Sequence, residues 1–151
     1  MSEIRGSVAE TVEADPRALF SVITDINRLP EWNEIIQQVV DCPARVEQGA
    51  EWVVRLKAMG SAWNSRSRVE EHDEGTLRFA YRSQTDDGNP SYARWNWQIT
   101  DDPAGARVTV DWEVHPKTFW RRVLLARIRH RQLPREVRAS IQAAARLAAA
   151  A

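Results

Sequence analysis

At 151 residues, with 21 basic and 21 acidic side chains and 43% hydrophobic residues, the chain has the size of one domain with a substantial core. A net charge of zero excludes a disordered polyelectrolyte and a strong polyanion binder. No apolar run approaches the roughly 18–20 residues that span a bilayer, and Met1-Ser2-Glu3-Ile4-Arg5-Gly6 lacks the apolar segment of a secretory signal.

Ile4, Val8 and Val12 punctuate a first strand expected from Glu3 to Glu13. Asp15-Pro16 then supplies a helix start, an aspartate able to cap and a proline suited to the first turn. Leu19, Phe20, Val22 and Ile23 form the apolar stripe of a short helix ending near Asp25. A second short helix is expected over Asn27 to Ile36, with Trp32, Ile35 and Ile36 turned inward. A second strand follows from Val39 to about Val46.

Five stretches then carry bulky apolar residues at alternate positions: Trp52-Val54-Leu56, Trp63 to Val69, Leu77-Phe79-Tyr81, Trp95-Trp97-Ile99 and Val108-Val110-Trp112-Val114. A spacing of two is the strand period, so each reads as a strand with one apolar face. The alternate positions hold Arg55, Lys57, Arg66, Arg68, Arg78, Arg82, Arg94, Asp111 and Glu113, which makes the other face charged. Gly, Pro, Asp and Asn mark the connections at Met59-Gly60-Ser61, Asp73-Glu74-Gly75, Asp86 to Pro90 and Asp101 to Gly105. The pattern predicts a meander of antiparallel strands. So many indoles on one face suit a curved sheet around a pocket better than a flat core.

Thr118 to Ala151 switches to helical spacing, with one seam of Trp120, Leu124 and Ile128 and another of Leu133, Val137 and Ile141. Pro134 sits where the seams change phase, which predicts a kink or break near His130 to Leu133. The last alanines, 148–151, are expected to fray. This helix is basic: nine of the 21 Lys/Arg lie from Lys117 onward with one acid, Glu136, leaving 12 basic and 20 acidic residues before it.

The order strand, two short helices, six strands, long helix resembles the START-like superfamily, also called SRPBCC. The residues that carry the resemblance are Ala14-Asp15-Pro16, Leu29-Pro30-Glu31-Trp32-Asn33 and Gly49-Ala50-Glu51-Trp52. More narrowly, the chain looks like the polyketide cyclase/dehydrase and lipid-transport family, over about Glu3 to Leu147. The resemblance implies an α+β helix-grip fold: a seven-stranded antiparallel sheet wrapped around the C-terminal helix, with a deep apolar cavity. It implies no universal catalytic motif.

The residues expected to line a ligand site are Trp52, Trp63, Ser65, Phe79, Tyr81, Trp95, Trp97 and Trp112, with Trp95 and Trp97 foremost. Ser65 and Ser67 are small, leave room beside the indoles and offer hydroxyls. The loop 86–91 and the segment Leu29 to Asn33 are expected to frame the entrance. Tyr81 is read first as a hydrogen-bonded core tyrosine and second as a weak general acid.

His115 is expected at the cavity mouth, His72 in an acidic loop with Glu70, Glu71, Asp73 and Glu74, and His130 among arginines. None has the partners of a metal site or a catalytic pair. Cys42 is read as a buried, inert thiol at the end of the second strand. As the single cysteine it excludes an internal disulfide and suits a reducing compartment, which makes the cytoplasm the expected location.

The function expected is binding of a hydrophobic small molecule, lipid or polyketide-like, for sequestration or transport. No cofactor or metal is expected. One alternative is a cyclase, aromatase or dehydratase using the same cavity. Another is an interaction module in which Arg121, Arg122, Arg127, Arg129, Arg131, Arg135 and Arg138 touch an anionic membrane. A specific nucleic-acid partner is not expected, because aromatic residues among these arginines are confined to Phe119 and Trp120.

Overall fold

A computed structural model of the chain describes residues 4–58, 60–86, 88, 90–116 and 126–150, the side chains of 126–130 excepted. In chain order the elements are β1 (Ile4–Val12), α1 (Pro16–Thr24), a 3-10 turn (Ile26–Arg28), α2 (Leu29–Trp32), β2 (Ile36–Asp41), β3 (Glu51–Ala58), β4 (Ser61–Asp73), β5 (Arg78–Thr85), β6 (Tyr92–Asp102), β7 (Gly105–His115) and α3 (Ala126–Ala150). The seven strands form one antiparallel sheet in the order β1-β7-β6-β5-β4-β3-β2. From β3 to β7 each strand pairs with its successor, and β1 returns to pair with β7. This is the expected α+β helix-grip architecture.

The Asp15 carboxylate accepts a hydrogen bond from the Ala18 amide at 2.9 Å and starts α1, with Pro16 in the first turn. Leu19, Phe20, Val22 and Ile23 bury its apolar stripe. The second helix is shorter than expected. Asn33 adopts extended backbone at the end of α2 and accepts from the Ile35 amide, so Ile36 begins β2. As a result β2 starts earlier than Val39 and ends at Asp41 rather than Val46; Pro43 has no amide hydrogen for a ladder. Leu77, expected in a strand, lies in the turn before β5 with φ 54°, a left-handed conformation uncommon for leucine.

Helix α3 is continuous through Pro134, so the predicted break does not occur within Ala126–Ala150. Proline forfeits one intrahelical hydrogen bond. Offsetting this, Leu133, Val137 and Ile141 are buried along one stripe that continues in Ala144, Ala145 and Ala148. Small residues there let α3 lie close to β1 and α1, the elements it chiefly contacts. The helix persists to Ala150. The predicted seam of Trp120 and Leu124, the Ile128 side chain and the helix start at Thr118 lie outside the described residues. No helix among the described residues is long and apolar enough to cross a membrane.

Candidate functional site

The inner face of the sheet becomes legible when its residues are taken row by row across the ladder. At the end next to α1 the rows hold His72, Phe79, Trp97, Val110 and Val8, then Ile99 and Val108, then Ala106 and Val12. All of these except His72 are buried. Moving along the strands, the next row is Val69, Tyr81, Trp95, Trp112 and Gly6, and beyond it lies Trp52, Ser67, Ser83, Ala93, Val114 and Ile4. Val54, Ser65 and Thr85 follow, and Leu56 with Trp63 ends the face. Here burial becomes uneven. Trp52, Val54, Ser65, Ser67, Val69 and Trp112 are buried, whereas Tyr81, Ser83, Thr85, Ala93, Trp95, Val114, Leu56 and Trp63 keep part of their surface accessible.

The alternation thus placed every predicted site residue on one face, and six of the aromatic ones fall into two groups. Trp52 stands on β3, yet its ring lies 6.1 Å from Phe79 and 5.1 Å from Tyr81 on β5. It therefore reaches across β4 toward the row of Val69 and Tyr81. Trp97 continues the group, its indole N–H donating to the Tyr81 hydroxyl at 3.3 Å. The second group is Trp95 and Trp112, with ring centroids 5.8 Å apart.

Tyr81 is half-accessible by surface area, yet protein surrounds it closely enough to raise its phenol to about 12; burial is the main cause, partly opposed by the Trp97 hydrogen bond. Tyr81 thus keeps part of its surface accessible while neighbouring side chains desolvate its hydroxyl. The serine hydroxyls are engaged locally. Ser67 and Ser83 Oγ atoms lie 2.5 Å apart, and Ser65 Oγ donates to the Gln84 carbonyl at 3.3 Å.

Residues outside the expected set also meet this face, among them Trp32, Gly6, Ser83 and Thr85. Trp32, from α2, is buried and meets Trp97 edge-on with centroids 5.6 Å apart. Its place in the Leu29 to Asn33 segment was the available signal, although that segment was expected at the entrance. Gly6 lies directly under the Trp112 indole, where a Cβ would come within 2.4 Å of the ring. Ser83 and Thr85 are the cross-strand partners of Ser67 and Ser65. Their polarity resembles that of the outward residues around them, but the period of Phe79 and Tyr81 continues to both, and the register places them inward.

Two histidine positions are corrected. A bulge at Glu70 shifts the side-chain phase of β4, so His72 opposes Phe79 instead of lying in a loop. Its ring stacks on Phe20 at 5.5 Å and meets Phe79 edge-on at 5.9 Å. His115, expected at the mouth, belongs to the outer face. It stacks on Tyr92 at 4.5 Å and lies 3.3 Å from Glu113. Cys42 is half-buried rather than buried, just past β2; burial first, then Asp25 and Asp41, raise its thiol and suppress the reactive thiolate. The His130 side chain lies outside the described residues.

The outer face is the expected ion-pair surface. Arg66 bridges Glu51 and Asp86, and Arg94 lies near Glu70 and Glu113. Asp111 accepts instead from Ser7 at 2.6 Å. Arg82 lies 3.7 Å above the Tyr92 ring. On α3, Arg131, Arg135 and Arg138 are exposed; Arg121 and Arg122 lie outside the described residues, as do the side chains of Arg127 and Arg129. Two surface hollows occur at the opposite end of the sheet, near the β6–β7 and β4–β5 turns. One, of about 490 Å³, is lined by Glu13 to Pro16, Ala104, Gly105, Ala148 and Ala149. The other, of about 340 Å³, is lined by residues including Arg17, Leu77 and Ile99. Neither contains an expected site residue.

Known structures share the fold. Ara h 8.0201 superposes with a TM-score of 0.77 at 15% identity, covering 99% of both chains. A protein from Chromobacterium violaceum gives 0.74 at 20% identity, with coverage of 97% of this chain and 96% of that one. The di-domain ARO/CYC StfQ from the steffimycin biosynthetic pathway gives 0.79 at 13% identity; 98% of this chain matches 51% of that one. No curated protein matches the sequence. The family model described as polyketide cyclase / dehydrase and lipid transport matches residues 3–150, nearly the whole chain, and the protein belongs to that family.

Proposed function

We propose that this protein binds a hydrophobic small molecule, lipid or polyketide-like, on the tryptophan-rich inner face, for sequestration or transport. One observation carries the reading. Inward side chains on β5, β6 and β7 keep accessible surface at one end of the sheet, while the same face is sealed at the other. Tyr81, Ser83, Ala93, Trp95 and Val114 form the binding surface; Phe79, Trp97 and Trp112 form its floor. Trp52 shapes one side by crossing β4, and Trp63 and Ser65 lie at the outer end. Contact with an apolar ligand contributes about 25 cal/mol per Å² buried, offset by the cost of immobilising it.

The enzymatic alternative draws less support. On the rows from Leu56 and Trp63 to Tyr81 and Trp95, Tyr81 is the one titratable side chain among the described residues. A phenol raised to about 12 holds its proton too tightly for efficient general acid catalysis near neutrality. Family members on one scaffold serve as carriers and as catalysts, so the fold does not decide between them.

Native mass spectrometry of protein purified without detergent tests the proposal. An apolar adduct is expected, displaced by added ligand and lost in Trp95→Ala but retained in the surface variant Val40→Ala. An adduct-free protein that also fails to take up any apolar fluorophore would refute it.

A further inference from the structure

The binding surface proposed above is apolar except for a compact group of hydroxyls. Ser65 faces Thr85 and Ser67 faces Ser83 across the β4–β5 ladder, and Ala93 on β6 leaves the side of Ser83 open. The Ser67–Ser83 contact of 2.5 Å uses one of the two protons of that pair. Which proton is used follows from burial. Ser67 is 3% exposed, so a proton left unbonded there would be stranded without water. Donation from Ser67 to Ser83 strands no proton, and it frees the proton of Ser83, which is half-buried on the accessible part of the inner face.

The charge of the surroundings is equally informative. The rows from Leu56 and Trp63 to Tyr81 and Trp95 carry no Lys, Arg, His, Asp or Glu among the described residues. His72 lies one row deeper, against Phe20 and Phe79. Glu10 lies at the β1 edge with Arg138 and Gln142. An ionised ligand group placed on these rows would lose hydration with no opposite charge from the described residues of the rows to replace it.

We infer that the ligand is uncharged and carries a carbonyl or hydroxyl oxygen, which accepts a hydrogen bond from Ser83 while its apolar body lies on Trp95 and Tyr81. Ser67 is a positioning residue that holds the Ser83 hydroxyl in this orientation. The inference rests on the proposed binding function and narrows its ligand class.

Three probes of matched skeleton separate the contributions: butylbenzene, which lacks an acceptor; butyrophenone, which adds a ketone; and 4-phenylbutyrate, which is anionic at neutral pH. Equilibrium dialysis should show butyrophenone binding tightest and 4-phenylbutyrate at least roughly tenfold weaker, the direction set by uncompensated burial of charge. Ser83→Ala should weaken butyrophenone relative to butylbenzene by about two- to tenfold, the worth of one neutral hydrogen bond. Ser83→Thr, which restores a hydroxyl, should recover the ketone preference, and near-UV circular dichroism confirms that each variant is folded. Equal binding of the anion, or a Ser83→Ala variant that still prefers the ketone, would overturn the inference while leaving an apolar hollow. Failure of all three probes to bind overturns the binding proposal and the inference together.

Discussion

Replacing Gly6 by alanine perturbs the inner face at a single atom. The new Cβ would lie 2.4 Å from Cζ2, 2.5 Å from Cε2 and 2.7 Å from Nε1 of Trp112, its cross-strand partner. Non-bonded carbons rest at about 3.5–4.0 Å, so the indole must withdraw by roughly 1 Å. It is 3% exposed, and Trp95 stands beside it with ring centroids 5.8 Å apart. Overpacking of this kind costs about 1–3 kcal/mol, against which replacing glycine in a strand returns about 0.5–1 kcal/mol. The net loss should be about 1–2 kcal/mol, or a melting temperature lower by roughly 2–8 °C for a chain of this length.

Urea unfolding followed by far-UV circular dichroism measures the loss, and near-UV signals report the displaced indoles. The decisive comparison repeats Gly6→Ala in a Trp112→Val background. There the clash is gone, so alanine should be neutral or stabilising, with a coupling of at least about 1 kcal/mol between the sites. An equal cost in both backgrounds would refute the argument, because the penalty would then come from the strand backbone and not from the ring.

Other expectations follow from single contacts. Asp15→Ala removes the cap of α1 and should destabilise by about 0.5–2 kcal/mol, read from the urea midpoint, while Asp15→Asn should retain most of the stability. The Asp73 carboxylate is held below its ordinary value by hydrogen bonds from Thr76 first, then the Gly75 amide. Its contribution is therefore complete above the unfolded value, about pH 4, and disappears as pH falls through the lower folded value. Asp73→Ala should thus be less stable than the native chain near neutrality, with the difference closing in acid; a gap that persists at all pH values would contradict this origin. Tyr81 has the opposite sense. Its folded value is raised to about 12, so its contribution holds below the unfolded value near pH 10 and is lost as pH rises above it. Tyr81→Phe should be less sensitive to alkali in thermal melts, and a Tyr81 phenolate absorbance appearing at an ordinary pH would refute the burial. Trp97→Phe removes the N–H that favours the phenolate and should raise the Tyr81 value further.

The candidate site was unevenly legible. Period-two spacing identified which residues of β3 to β7 face inward because alternation is a local consequence of strand geometry. It could not show that Trp52 leans across β4 to Phe79 and Tyr81, since that depends on which strands lie two apart. Nor could it anticipate His72. A bulge inserts a residue, inverts the phase beyond it and turns a side chain from an acidic run onto the core. His115 follows the inward Val114, so the same alternation already turns it to the outer face, away from the mouth.

What the sequence determined by itself was the architecture: strand periods, the Asp15-Pro16 helix start, turn residues and one long amphipathic helix are all encoded within a few residues of one another. These features also recover the family to which the chain belongs. The tertiary structure decided how those faces are used. Register set Ser83 opposite Ser67 and Gly6 under Trp112, and α2 carried Trp32 to Trp97. Such contacts join residues far apart in the chain, and their geometry follows from packing that no local pattern specifies.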